Sequence, residues 1–294
     1  MSRVESFEKY LRYERRYSNH TVISYVNDLE QFQVYIKAQL GLFKEEDLKH
    51  FHIRSWIVHL MKDGYTAKSV NRKISTLKSY FKYLKKAGTI STNPTSKVIA
   101  PKIAKRLPTV IREERLEQLL SQDEELEDFN SVRDNLIIDL LYTTGIRRSE
   151  LINLKASDVN VALRQIKVLG KGSKERIIPI SDTLISKIER YNWIKRTEEL
   201  DIGAFIFVTD KGKKIYPKLV YNIVKRQLSA VSTAKRCSPH ILRHSFATHM
   251  ANKGAELNAI KEILGHANLS ATEIYMHNSI DRLRSVYDKA HPKS

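Results

Sequence analysis

Within 294 residues, 51 lysines and arginines stand against 33 aspartates and glutamates, a formal balance of +18 that points to a polyanionic partner. No apolar run approaches the ~20 residues a membrane span needs, and the amino-terminal MSRVESFEKY lacks the apolar region of a secretory signal. Cys237 is the single cysteine, so an internal disulfide is impossible and a reducing compartment fits. The expectation is a soluble, unprocessed, cytoplasmic chain long enough for two cores. Its basic residues spread along the length instead of forming one amphipathic membrane anchor, which favours nucleic acid over a lipid surface.

From Arg3 to Gly88 the apolar spacing is helical throughout. Phe7, Tyr10, Leu11 and Tyr17 give a first stripe. Ser18 opens a second helix in which Val22, Tyr25, Leu29, Phe32 and Ile36 recur every three or four residues. A third helix is predicted from near Glu46 to Met61, ending before Gly64. The fourth has Val70, Ile74, Leu77, Phe81 and Leu84 as its core stripe, while Lys68, Arg72, Lys73, Lys78, Lys82, Lys85 and Lys86 fill the other faces without one acid. A charge run is ordinarily a solvated face, but seven bases with no carboxylate among them, in a chain already strongly positive, favour phosphate contact.

Between Ile90 and Val110 the periodicity stops, and Pro94, Pro101 and Pro108 are interleaved with Lys97, Lys102, Lys105 and Arg106. Residues 96–109 read as an extended basic linker between a helical domain at 1–95 and a mixed α and β domain at 110–294. Such a linker would let the two close around a duplex.

In the second domain, helical patterns cover Glu113 to Leu120 and Val132 to Tyr142, and Gly145 offers a left-handed stop. A helix restarts over Ile146 to Leu151, with Leu151 and Leu154 pointing inward. Gln165 to Leu169 and Arg176 to Ile180 are β-rich and joined by a segment beginning Gly170-Lys171-Gly172-Ser173, which predicts a hairpin with a glycine-flanked tip. Phe205 to Val208 is a candidate third strand, and helices return at Leu184 to Arg196 and Leu219 to Leu228. The glycine-flanked tip is no phosphate-binding P-loop, because the glycine-to-lysine spacing and the following helix of that motif are missing.

The stretch from Ser238 to His277 carries the chemistry. Ser238 and Pro239 predict a capped helix start, with Leu242, Phe246 and Met250 as the core stripe. His240 and Arg243, three apart, then share a less apolar face near the positive helix end, which suits an anion. Gly254 and Gly265 connect short helices. Leu269, Ser270, Glu273 and Ile274 have the spacing of a capping box with a hydrophobic staple. Tyr275 follows on that helix, roughly 100° around from Ile274. Hydrogen-bond donors gathered around a tyrosine hydroxyl are what attack on a phosphodiester needs, since the chemistry is a positioned nucleophile plus stabilisation of a charged phosphorane. Any single one of the fourteen tyrosines, or a lone histidine or arginine, is more often structural. A metal site from His240, His244 and His249 is disfavoured by Arg243 between the first two.

HILRH followed by LGHANLSATEIYMH resembles the carboxy-terminal signature of the tyrosine recombinases, the phage-integrase family, and above all its Xer-type members. The resemblance implies an all-α core-binding, SAM-like domain followed by a mostly helical catalytic domain with a small antiparallel sheet. It also implies a catalytic set. YTTGIRRSEL is similar to the motif whose arginine lies two residues after the glycine, here Arg147, although Arg148 stands where relatives commonly have an uncharged residue. The glycine-flanked hairpin resembles the β-turn that carries the family's lysine, here Lys171. His240 and Arg243 match HxxR, His266 the histidine of LGH, and Tyr275 the nucleophile. In those roles Arg147 and Arg243 would fork onto non-bridging phosphate oxygens, Lys171 would protonate the departing 5′ oxygen, His240 would accept the tyrosine proton, and His266 would donate to the phosphate. Neither metal nor cofactor is needed, because a 3′-phosphotyrosyl bond stores the energy of the broken strand.

The resemblance further implies a homo- or hetero-tetramer on a specific double-stranded DNA site, exchanging strands through a Holliday junction. The leading role is resolution of chromosome dimers at a dif-like site, with a second recombinase and the translocase FtsK as partners, and the tail from Ile280 to Pro292 docking into a neighbouring subunit. The rivals are an integrase of a mobile element with the same chemistry, a type IB topoisomerase, and a DNA-binding module without catalysis.

Overall fold

A computed structural model describes residues 2–41, 44–103, 109–121, 128–170, 174–200, 203–231 and 237–265. The chain divides into two compact units, Met1–Arg106 and Leu107–Ser294.

The first unit is helical: α1 (Arg3–Lys9) running into a π-helical turn at Tyr10–Glu14, α2 (Asn19–Leu40), α3 (His50–Lys62) and α4 (Ala67–Lys86). Ser18 caps α2 by accepting from the Thr21 N–H, and Thr66 caps α4 by accepting from Ser69. All five residues of the expected α4 stripe are 2 % exposed or less, packed with Phe7, Phe32 and Trp56. Phe32 meets Trp56 edge to face at 5.0 Å.

The third helix begins at His50 and not near Glu46. Glu45–Asp47 forms a separate 3₁₀ turn, in which Glu45 accepts from Arg3 at 2.5 Å and from the Tyr80 hydroxyl at 3.0 Å. Leu48, extended at φ −74° and ψ 129°, then drops into the core at 5 % exposure. These long-range bonds hold the turn apart from the helix that follows.

The basic run of α4 is also not free of carboxylates, because one arrives from α2. Asp28, 1 % exposed, accepts from Arg72, from Lys73 at 2.9 Å and from Thr76 at 2.9 Å. Lys68, Lys78, Lys82, Lys85 and Lys86 remain exposed and fall within about 100° of one another at about 100° per residue. Of the stretch expected as linker, Val98 packs into the first unit's core, and the Pro101 carbonyl accepts from Asn71 at 2.9 Å.

The second unit is built around α6 (Phe129–Thr144), a helix buried on nearly every side, its polar Arg133, Asp134, Asn135, Asp139 and Thr144 included. It is surrounded by α5 (Glu113–Leu120), α8 (Asp182–Thr197), α9 (Pro217–Val231) and α10 (Pro239–Asn252), while α7 (Arg148–Asn153) follows it after one turn. Strands β1 (Val159–Asn160), β2 (Gln165–Leu169) and β3 (Glu175–Pro179) form an antiparallel sheet in the order β1-β2-β3, with Ile166 opposite Ile178 and Val168 opposite Arg176. Ile166, Val168 and Ile178 face the core.

The hairpin lies within a residue of expectation, but the third strand does not come from Phe205 to Val208. That run supplies buried side chains and only isolated bridges, Lys155 with Phe205 and Val208 with Lys214. A four-residue apolar stretch fills a core equally well without pairing. The last described helix is α11 (Leu257–Leu264), closed by Gly265 in the left-handed region at φ 63° and ψ 48°. Among the described residues, no helix is long and apolar enough to cross a membrane.

Candidate active site

Gly145 ends α6 at φ 61° and ψ 18°, and a Cβ built there would lie 2.6 Å from Phe246 Cδ1 and 2.8 Å from Leu264 Cδ2. Both the backbone angle and the closeness of α10 and α11 therefore demand glycine. The turn sends Ile146 into the core and leaves Arg147 at the amino-terminal cap of α7 with extended angles, φ −78° and ψ 152°.

Glu150, three residues on, secures Arg147 twice. It accepts the Arg147 backbone N–H at 2.7 Å, satisfying one of the orphan donors of the helix start, and Arg147 Nη1 at 2.8 Å. From β3, Arg176 donates to the same carboxylate with both terminal nitrogens, at 3.0 and 2.8 Å. Burial alone would push the Glu150 carboxyl up, but the Arg176 bonds and charge and the Arg147 backbone and side-chain hydrogen bonds outweigh it and hold the group below the ordinary carboxylate value.

The arginines meet at the carboxyl end of α11. Ile263 O accepts from Arg176 Nε at 2.6 Å, Leu264 O from Arg243 Nη2 at 2.5 Å, and Gly265 O from Arg147 Nη2 at 3.2 Å. Three successive carbonyls thus take three guanidinium groups from β3, α10 and the start of α7. The last carbonyls of a helix have no internal partners and carry its negative dipole end, so cations settle there. Arg243 Nη1 also donates to Gly145 O at 2.6 Å, tying α10 to the turn that presents Arg147. His266 is the next residue in the chain.

Of the six residues expected to act together, the structure brings Arg147 and Arg243 to one place. Lys171, His266 and Tyr275 lie outside the described residues, as do the expected capping box at Leu269 to Ile274 and the tail from Ile280. His240 sits exposed in the first turn of α10.

Two expectations for α10 change. Arg243 is not on a polar face: it is 6 % exposed, because nearly every side of α10 is covered and the guanidinium is accommodated by carbonyls. Ser238 occupies the cap position, but its hydroxyl makes no capping bond. Its carbonyl instead accepts from Ile241 N–H at 2.9 Å.

Arg148 is resolved by direction, since its Nη1 donates to Pro217 O at 3.3 Å, toward the start of α9, while Arg147 joins the Glu150 network. His249 lies inside, its Nδ1 at 2.9 Å from the Tyr142 hydroxyl. Among the described residues, no group of three or more His, Cys, Asp or Glu is arranged to hold a metal ion.

The sequence reading missed Glu150 and Arg176. Glu150 carries a signal, namely an acid in the first turn at capping-box spacing from Arg147. Arg176 carries none, because a charged residue on a short strand reads as solvent-facing until Glu150 and Ile263 are seen beneath it.

Residues 109–282 match the profile of the phage integrase family, and residues 4–88 that of the phage integrase N-terminal SAM-like domain. The chain is 36 % identical to the tyrosine recombinase XerC of Chlorobaculum parvum, over 98 % of this chain and 94 % of that protein. It is 34 % identical to the tyrosine recombinase XerD of Staphylococcus haemolyticus, over 99 % of each. Among solved structures, the XerH site-specific recombinase bound to a palindromic difH substrate in a post-cleavage complex superposes with a TM-score of 0.76 at 22 % identity, over 96 % of this chain and 82 % of that one.

Proposed function

Since this chain belongs to the phage integrase family, and within it to the Xer-type tyrosine recombinases, we propose that it exchanges strands at a specific dif-like DNA site and so resolves chromosome dimers. Tyr275 attacks the scissile phosphorus and passes its proton to His240. Arg147 and Arg243, with His266, bind the charge that builds on the non-bridging oxygens, and Lys171 protonates the 5′ oxygen as it leaves. The 3′-phosphotyrosyl link conserves the bond energy, so rejoining is the reverse attack by a 5′ hydroxyl of the partner duplex.

The observation that carries this reading is the convergence of Arg147 and Arg243 on the peptide groups of Leu264 and Gly265, immediately before His266. Two guanidinium groups locked by carbonyls and a buried carboxylate reach the transition state without reorganising. The exposed lysines of α4 supply phosphate contacts from the first unit. A tetramer, homomeric or shared with a second recombinase, acts in the cytoplasm, with the FtsK translocase as partner and the tail after Ile280 as the inter-subunit contact.

The test is a nicked suicide duplex bearing a dif-like site. A detergent-resistant covalent adduct forms with the native chain and is absent in Tyr275→Phe; an adduct that survives this substitution removes Tyr275 as nucleophile. Fast relaxation of a plasmid lacking any such site would instead indicate a topoisomerase.

A further inference from the structure

Arg72, on α4, differs from the exposed lysines around it. A guanidinium has five N–H donors in a rigid plane. Both hydrogens of Nη1 are taken, by Ser24 Oγ and Asp28 Oδ2, and Nη2 gives one to Asp28 Oδ1 at 2.9 Å. Among the described residues, what remains without a partner is Nε–H and the second Nη2–H, which share the one edge of the plane turned away from Asp28. The side chain is nevertheless 47 % exposed, while that of Asp28 is 2 % exposed.

The anchor behind it is fixed. Lys73 and Thr76 hold the same carboxylate at 2.9 Å each, Lys73 also donates to Gln31 at 2.5 Å, and its ammonium lies 5.5 Å from the centre of the Tyr65 ring. Two cations on one buried anion leave the group a net positive charge. An exposed arginine ordinarily gives up rotamer freedom when it binds; here it is already restrained.

Along α4, Lys68, Arg72, Ser75, Ser79, Lys82 and Lys86 fall within about 80° of one another at about 100° per residue. The two serines leave room for close approach between the basic ends of this ridge.

We propose that Arg72 is a specificity-determining residue: its free Nε and Nη2 edge donates two parallel hydrogen bonds to the O6 and N7 acceptors of a guanine in the major groove of the bound site. The same edge also fits two oxygens of a phosphate, and the experiment separates these sources. The inference rests on the reading of this chain as a recombinase of specific DNA.

The test selects duplexes from a randomised pool with the full chain and with Arg72→Lys, which keeps the charge but has no fork. The native chain enriches a guanine at one position of each half-site. Arg72→Lys loses that preference by roughly 10- to 100-fold, with the salt dependence of binding unchanged. Placing 7-deazaguanine, which lacks N7, at that position weakens the native chain and leaves Arg72→Lys unaffected, a comparison made on the native protein that needs no folded variant. Uniform loss on every sequence with a shallower salt slope means a phosphate contact and overturns the proposal, as does an unaltered preference in the variant. A native chain that binds no duplex at all overturns the DNA reading itself, which the same experiment shows separately.

Discussion

The two units use the same side chain in opposite ways. In the first, the lysines of α4 stand outward from a helix whose apolar stripe already secures the fold, and on that helix Arg72 and Lys73 are tied down, both to Asp28. In the second, Arg147, Arg176 and Arg243 are drawn inward onto Glu150 and the carbonyls of residues 263 to 265. Outward charges act as a sum and can be replaced one by one, whereas the inward ones act through position. The units should therefore fail differently when a charge is removed.

The largest difference is expected at Arg147. Under the proposed function, Arg147→Ala removes a donor to the developing charge, and the expected loss is on the order of 100- to 1,000-fold in strand cleavage, while duplex affinity stays close to native because most phosphate contacts remain. Single-turnover cleavage beside a gel-shift titration checks this, and an equal loss in both would erase the contrast between the units. Glu150→Ala comes next. Its side chain is 4 % exposed, and deleting one partner of a buried ion pair costs about 3–5 kcal/mol. A melting temperature within a degree or two of native would show that Arg176 and Arg147 do not depend on it.

The sequence made these halves legible to different extents. The α4 stripe, the Gly145 stop and the β2–β3 hairpin could all be placed, because periodicity and glycine geometry are local. The bonds that give each cation its task are not local: Asp28 lies 44 residues before Arg72, and Arg176 26 residues after Glu150. No spacing rule links such pairs. Arg243 was located by its motif, yet its burial was hidden, since a charged residue on a helix is assigned to a wet face until the carbonyls that receive it are known. Val159–Asn160 was too short to register as a strand.

A smaller effect follows from pH and belongs to the second unit. Burial holds His244 and His249 below the ordinary histidine value of 6.5, and nearby Glu113 opposes this for His249. The unfolded chain therefore takes up protons first, so their contribution to stability is complete above about pH 6.5 and declines as the pH falls through the lowered folded values. Glu150, also lowered in the fold, adds a later loss: its contribution is present above the ordinary carboxylate value and disappears as acid reaches its folded one. Melting curves from pH 8 to 3 should decline in these two stages, and His249→Gln should flatten the first. A flat profile between pH 7.5 and 5.5 would mean that the interior accepts the imidazolium without cost.

The smallest effect should come from a single outward lysine. Lys82 is exposed on the α4 ridge, no ion pair or hydrogen bond to it is seen among the described residues, and Lys78 and Lys86 lie one turn to either side. Lys82→Ala then removes at most one phosphate contact, lowering the slope of log affinity against log salt by about 0.9 and weakening all duplex sequences alike. Strand cleavage at saturating protein should be unchanged, because the inward arginines are not touched. Affinity measured on specific and unrelated duplexes over a series of salt concentrations decides it. A loss confined to one sequence would show that this lysine, like the fork proposed for Arg72, reads bases, and the division between additive outward charge and positional inward charge would then break down within the first unit itself.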